Sequence, residues 1–136
     1  MIKRIDHIAL VVADLEPVLA FWRDALGLEL KEVEDVPEQK AQVAFLPLGD
    51  SNIELVRPTA ADTGLAKYLA KRGEGMHHLC VEVDDIDAML TSLKAKGIRL
   101  IDETPRHGSH GKRYAFIHPE AAHGVLVELY QLPQTH

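Results

Sequence analysis

The chain is written twice, and this constrains its fold more than any bulk property does. When "DHIALVVADLEPVLAFWRDALG" (6–27) is set over "HHLCVEVDDIDAMLTSLKAKG" (77–97), His7 falls on His78, Asp14 on Asp85 and Gly27 on Gly97. The offset is 71 residues at the histidines and aspartates and 70 at the glycines, so one residue is lost across the intervening stretch. Each copy reads as apolar strand, acidic turn, amphipathic helix and glycine. Asp14 and Asp85 stand where N-caps belong, and Pro17 falls in the first helical turn, where its missing N–H costs nothing. Leu15, Leu19, Phe21 or Trp22, and Leu26 recur at helical spacing in the first copy, as do Ile86, Met89, Leu90 and Leu93 in the second. Phe21 and Trp22 are accordingly expected in the core. Lys94 and Lys96 ahead of Gly97 suit a helix end.

Three strand-like runs follow each helix. In the first half they are expected at about 28–34, 41–48 ("AQVAFLPL") and 52–57 ("NIELVR"), with "GDS" as the turn between the last two. In the second half they are expected at about 99–103, 112–118 ("KRYAFIH") and 124–131 ("GVLVELYQ"). The stretch between the halves holds a short helix through "TGLAKYLAKR". The reading is α+β: one domain over 1–136, with module one at 1–57, a helical linker at 58–75 and module two at 76–131, each module running β-α-β-β-β.

Composition narrows the partners. An apolar fraction of 46% with 26% charged residues is that of an ordinary soluble globular chain. The net charge of −6 argues against nucleic acid, whose phosphates need a basic face. No apolar run approaches a membrane span, and "MIKRIDHIALVV" is broken by Asp6 and His7 and lacks a small-residue cleavage site, so a cytoplasmic location is expected. Cys80 is the only cysteine, which excludes a multi-cysteine metal site, and its apolar neighbours point to a buried structural thiol.

A single histidine in a strand is most often a satisfied core residue, and a glutamate alternating with apolar neighbours often faces solvent. The repeat changes that weighing, because it pairs His7 with His78 and also Glu54, in "NIELV", with Glu128, in "VLVEL". The His-to-Glu separations are similar, 47 and 50 residues. If the two modules pack about a pseudo-twofold axis into a cupped sheet, two imidazoles and two carboxylates converge. Such a set suits a divalent ion such as Co, Mn, Ni, Zn or Mg, with positions left for water or substrate.

This arrangement resembles the vicinal oxygen chelate superfamily, in which paired βαβββ modules form a cupped mixed sheet around a metal site, and the resemblance covers essentially the whole chain. It implies His7, Glu54, His78 and Glu128 as ligands, with His78 chosen over His77 because it aligns with His7. His77 is then expected to contact substrate or support a ligand. Within the superfamily, "GDSNIELVRP", "GMHHLCVEVDDIDA" and above all "GSHGKRYAFIHPEAAHGVLVELYQ" resemble the methylmalonyl-CoA epimerases. That resemblance implies an isomerase acting through an enolate, with Glu54 and Glu128 as the two bases flanking C2 of an acyl-CoA. In some such epimerases a further glutamate, on the strand before the first carboxylate ligand, serves as a base; the aligned position here is Val43, with Glu38 and Gln42 nearby. The loop "RHGSHGKR" (106–113) is expected to close over the anionic acyl group, with Ser109, His110 and Lys112 as contacts. Lys67, Lys71 and Arg72 are candidates for the CoA phosphates, and a homodimer is expected because the superfamily usually dimerises.

Three other readings share parts of this pattern. A glyoxalase I-like lactoylglutathione lyase uses the same ligand set, but it usually shows an Asp-Pro-Asp-Gly-like turn where this chain has "HPEAAHG". An extradiol dioxygenase needs two histidines and one carboxylate, which leaves Glu54 unexplained. A non-enzymatic binding or resistance protein of the same fold needs no metal, and four matched ligands count against it.

Overall fold

The computed structural model describes residues 1–133. Its elements, in order, are β1 (Ile2–Val11), α1 (Leu15–Leu19), β2 (Glu32–Val36), β3 (Ala41–Leu48), β4 (Ser51–Pro58), α2 (Gly64–Arg72), β5 (Gly75–Val83), α3 (Ile86–Ala95), β6 (Arg106–His107), β7 (Arg113–Ile117) and β8 (Val127–Gln131). They form two compact units. The first unit is His7–His77; the second joins Met1–Asp6 to the chain from His78 onward. The chain passes between units inside β1 and inside β5, in each case immediately before a histidine of the repeat.

Both units have the α+β, β-α-β-β-β construction expected from the repeat. In the first unit the strand order is β2-β3-β4-β1, with β1 and β4 parallel and the other pairs antiparallel. In the second it is β6-β7-β8-β5, with β5 and β8 parallel and the others antiparallel. The first strand of each module therefore pairs with its fourth.

Each unit has its own core, on the face of its strands that meets the helix. In the first unit Val12, Leu19, Ala44, Leu46, Ile53 and Leu55 are buried together, with Ile8, Leu10, Leu15, Val18 and Trp22 packed against them. Alternation along β1 sends Ile8, Leu10 and Val12 to that face and His7, Ala9 and Val11 to the other. In the second unit Val83, Ile86, Leu90, Ala115 and Leu129 form the equivalent cluster, supported by Val81, Met89, Leu93 and Ile117. The first six residues attach to the second unit through charge: Arg4 Nε donates to Glu82 Oε1 at 2.8 Å and Arg4 Nη2 to Asp6 Oδ1 at 2.9 Å. Both carboxylates are buried, so the guanidinium compensates their desolvation.

Four local expectations are corrected. The first helix is α-helical only over Leu15–Leu19 and continues as a π-helix over Ala20–Ala25, with the Leu26 N–H bonded to the Phe21 carbonyl at 2.9 Å. The wider turn rotates later side chains off the core stripe: Trp22 still packs inward, but Phe21 and Leu26 are more than half exposed. Phe21 is therefore not a core residue. The run expected at 28–34 pairs only from Glu32, because the chain leaves the helix through Gly27 at φ +86° and does not bond to β3 until Lys31 N–H reaches the Phe45 carbonyl.

The run expected as a strand at 99–103 makes a single bridge, Leu100 to Ile117. Asp102 is the cause: its carboxylate accepts the Phe116 N–H at 2.9 Å, a donor that a regular ladder would have used. The edge strand forms instead at Arg106–His107.

Capping is also unequal. Asp85 Oδ1 accepts the Ala88 N–H at 3.0 Å, whereas Asp14 holds an extended N-cap conformation with no side-chain bond into its helix. Instead, Glu74 accepts the preceding N–H, that of Ala13, at 2.9 Å. Replacing Asp85 by Ala is expected to cost about 1 kcal/mol, and the same change at Asp14 well under half of that. Urea denaturation midpoints of the two variants, compared with the unaltered chain, check the difference.

Candidate metal centre and substrate face

The face of each unit turned away from its helix carries one His–Glu pair. In the first unit β1 and β4 run in parallel with Ala9 opposite Glu54, so His7 lies two residues back along the same face. Its Nδ1 stands 3.1 Å from Glu54 Oε2. In the second unit β5 and β8 run in parallel with Cys80 opposite Glu128, and His78 again lies two residues back, its Nε2 3.0 Å from Glu128 Oε1. The sequence separations differ by three residues, yet the registers are the same. The residue facing each glutamate is small and fully buried, Ala9 in one unit and Cys80 in the other, which leaves room for the glutamate and histidine side chains above it. Cys80 is thus the buried structural thiol anticipated.

Burial makes these pairs costly unless they are occupied by something cationic. His7 is 5% exposed and Glu128 7%. A carboxylate so placed needs a positive partner, which a protonated imidazole or a metal ion provides. The donor set fits a divalent ion. Neighbouring donors bound at about 2.1 Å in an octahedral arrangement lie about 3.0 Å apart, and both His–Glu pairs show that spacing.

Other expected site residues are distributed as follows. His77 precedes His78 in β5, so alternation turns it to the opposite face, where its ring meets the edge of Tyr68 on α2 at 4.8 Å. Ser109 and His110 lie in a short 3-10 turn, Ser109–Gly111, with His110 in the left-handed region at φ +61°. Lys112 places its ammonium 5.2 Å from the centre of the Tyr130 ring. Arg72 stacks on Tyr68 at 5.3 Å, while Lys67 and Lys71 are exposed on α2.

Val43 is buried in β3, on the same side as Glu54, and has no proton to exchange. Gln42 lies 3.5 Å from Arg57, and Glu38 is exposed on the turn Pro37–Gln39 leading into β3. Two residues of the site face went unnoticed in the sequence. Phe116, opposite Glu128 on β7, meets the His78 ring edge-on at 5.5 Å, and Tyr130 follows Glu128 at the two-residue period. That period was the available signal.

Residues 6–116 match the family model of the Glyoxalase/Bleomycin resistance protein/Dioxygenase superfamily. The chain belongs to that superfamily and has its vicinal oxygen chelate fold. Among its relatives is the mitochondrial methylmalonyl-CoA epimerase of Mus musculus, 43% identical over 129 residues, covering 94% of this chain and 72% of the relative. The ethylmalonyl-CoA/methylmalonyl-CoA epimerase of Cereibacter sphaeroides is 40% identical over 134 residues, covering 97% and 100%. A solved Streptomyces coelicolor methylmalonyl-CoA epimerase variant in complex with 2-nitronate-propionyl-CoA superposes with a TM-score of 0.87 at 37% identity, covering 98% of this chain and 100% of that one. The resemblance read from "GDSNIELVRP", "GMHHLCVEVDDIDA" and "GSHGKRYAFIHPEAAHGVLVELYQ" is therefore borne out. Among the described residues, no helix is long and apolar enough to cross a membrane.

The small residues facing the two glutamates give a stability test. Ala9→Leu and Cys80→Leu each place a larger side chain where none fits, and each is expected to cost about 1–3 kcal/mol. Cys80→Ala is expected to be much milder; thermal denaturation of the three variants checks the ordering.

Proposed function

We propose that the chain is an epimerase that interconverts the two configurations of methylmalonyl-CoA at C2, with a divalent metal ion as its cofactor. The observation that carries the reading is the identical register of His7 with Glu54 and of His78 with Glu128. The full-length similarity to methylmalonyl-CoA epimerases supports the substrate. The ligands proposed are His7, Glu54, His78 and Glu128. A divalent ion held by them would supply Lewis-acid stabilisation of the negative charge that develops on the thioester oxygen.

The chain's own residues handle the proton. The hydrogen on C2 lies between a thioester and a carboxylate, so its removal leaves an enolate. One glutamate of the Glu54 and Glu128 pair takes that proton, and the other, in its acid form, returns one to the opposite face. Each carboxylate is held on a strand and against an imidazole, so its direction toward the substrate is set before binding. The loop carrying Ser109, His110 and Lys112 supplies contacts to the acyl group, His77 supports the substrate-binding region from its place against Tyr68, and the working form is a homodimer located in the cytoplasm.

The test is proton exchange in deuterated buffer, followed by NMR, on cobalt-loaded protein given methylmalonyl-CoA. Deuterium is expected at C2, with at least a hundredfold loss of rate in Glu128→Gln, in keeping with removal of a positioned general base. Glu38→Gln is measured beside Glu54→Gln; a loss confined to the Glu38 variant moves the second base to the turn before β3. Conversion of the hemithioacetal of methylglyoxal and glutathione, with no exchange into methylmalonyl-CoA, would replace the epimerase by a lactoylglutathione lyase.

A second measurement addresses the ion. Calorimetric titration of cobalt into metal-stripped protein is expected to show one site per chain. His7→Ala and His78→Ala are each expected to weaken it at least tenfold, as loss of a ligand requires. Full activity after exhaustive chelation would overturn the metal assignment.

A further inference from the structure

The site face of the second unit depends on a carboxylate that the proton transfer does not use. Phe116 stands opposite Glu128 in the β7–β8 pair, and its ring meets that of His78 edge-on, with centroids 5.5 Å apart. Its backbone groups turn the other way. The Phe116 carbonyl accepts the Ile101 N–H at 3.0 Å and the Asp102 N–H at 3.2 Å, and its own N–H donates to Asp102 Oδ2 at 2.9 Å. Phe116 and Glu128 therefore form a non-hydrogen-bonded pair, the kind in which facing side chains approach most closely. Among the described residues, β6 accompanies β7 only as far as Tyr114, and beyond it a single bridge joins Leu100 to Ile117. Ile101 and Asp102 thus fasten Phe116 where a ladder would otherwise do so.

The repeat shows how the two units differ here. Asp102 corresponds to Glu32 at an offset of 70 residues, that of the repeat glycines, and Phe116 to Phe45 at 71. Phe45 also stands opposite a glutamate, Glu54, but a regular strand, β2, lies outside it: Glu32 is its partner in that ladder, and the Glu32 side chain is exposed. In the second unit the corresponding carboxylate turns inward and replaces the ladder. The Asp102 side chain is only 9% exposed, with one oxygen on the Phe116 N–H and the other accepting from Arg106 Nε at 2.8 Å. The guanidinium supplies the cation that a desolvated carboxylate needs.

Resting on the epimerase reading, in which His78 is a ligand, we infer that Asp102 is a positioning residue for the reaction: it fixes Phe116 against the His78 ring and so sets the angle at which the imidazole offers Nε2. A flat ring met edge-on by another has few orientations open to it. Here Nε2 points at Glu128 Oε1, 3.0 Å away, and an imidazole that tilts from that direction binds an ion less well. Arg106 acts one step further out, as the counter-ion of Asp102.

The full chain is tested first without metal, through the NMR signals of the His78 imidazole, assigned with His78→Gln. Asp102→Ala is expected to shift them, and Asp102→Asn, whose amide oxygen still accepts the Phe116 N–H, to leave them close to those of the unaltered protein. Calorimetric titration with cobalt is expected to show about tenfold weaker binding for Asp102→Ala and less than about threefold for Asp102→Asn. Phe116→Leu, which keeps the backbone bonds and removes the ring, is expected to behave as Asp102→Ala in both measurements. A purely structural role for Asp102 predicts a lower unfolding temperature with His78 signals and cobalt affinity unchanged, and that result overturns the inference. So does a Phe116→Leu variant that leaves both unchanged, a test that stands even where Asp102→Ala does not fold. Proton exchange at C2 of methylmalonyl-CoA separates the inference from the reading beneath it. Unaltered protein that binds cobalt but exchanges no proton ends the epimerase reading and with it any part for Asp102 in that reaction; intact exchange, matched by Asp102→Ala in rate and in cobalt affinity, ends only the role of Asp102.

Discussion

The parallel pairing of the first and fourth strands of each module is the constraint on which the rest depends. It sets Ala9 against Glu54 and Cys80 against Glu128, and so brings each repeat histidine to its glutamate within about 3 Å. A slip of one residue would send each glutamate into the helix-facing core, where no cation or water could compensate it. Register is strongly specified here because the opposite face is so apolar: Leu55 and Ile53 flank Glu54, and Leu129 and Val127 flank Glu128. The core on one face therefore fixes the chemistry on the other.

Small residues make that chemistry sterically possible. Ala9 and Cys80 leave space above the strand where a leucine would have closed it, and Gly108 does the same for the Lys112 stem at the edge of the second unit. The aromatic residues beside Glu128 have a different part. Phe116 presents its ring to His78 at right angles, and Tyr114 stands edge-on to Phe116 at 6.2 Å. A large ring with few rotatable bonds thus lies against His78, and its low polarity strengthens the electrostatic interaction of the imidazole with Glu128.

The fold was legible where the physics is local and periodic. The strands of β3 and β8, the helix α3 with its Asp85 cap, and the turn glycines follow from alternation, capping and backbone freedom, each confined to a few residues. The departures have equally local causes that no periodicity carries. A π-turn displaced Phe21, and the Asp102 carboxylate captured a strand donor and moved the edge strand to Arg106. The candidate ligands could be proposed because the chain repeats: one His–Glu pair reads equally as core or solvent-facing, and two at matching positions point to a shared role. Tyr130 and the packing of Lys112 over it were not apparent, since a tyrosine two residues past a glutamate has no meaning until the loop that approaches it is known.

By itself the amino-acid sequence determined the class of the fold, its two βαβββ modules and the four residues proposed to bind the ion, because these rest on hydrophobic period and internal repetition, which are properties of a linear string. Only the tertiary structure decided which nitrogen faces which oxygen, that His77 turns to Tyr68 while His78 turns to Glu128, and that Lys112 lies over the Tyr130 ring while the neighbouring Arg113 pairs with Asp87. Those outcomes depend on which side chains from distant parts of the chain share a face, and strand register and loop closure settle that only once the backbone has folded.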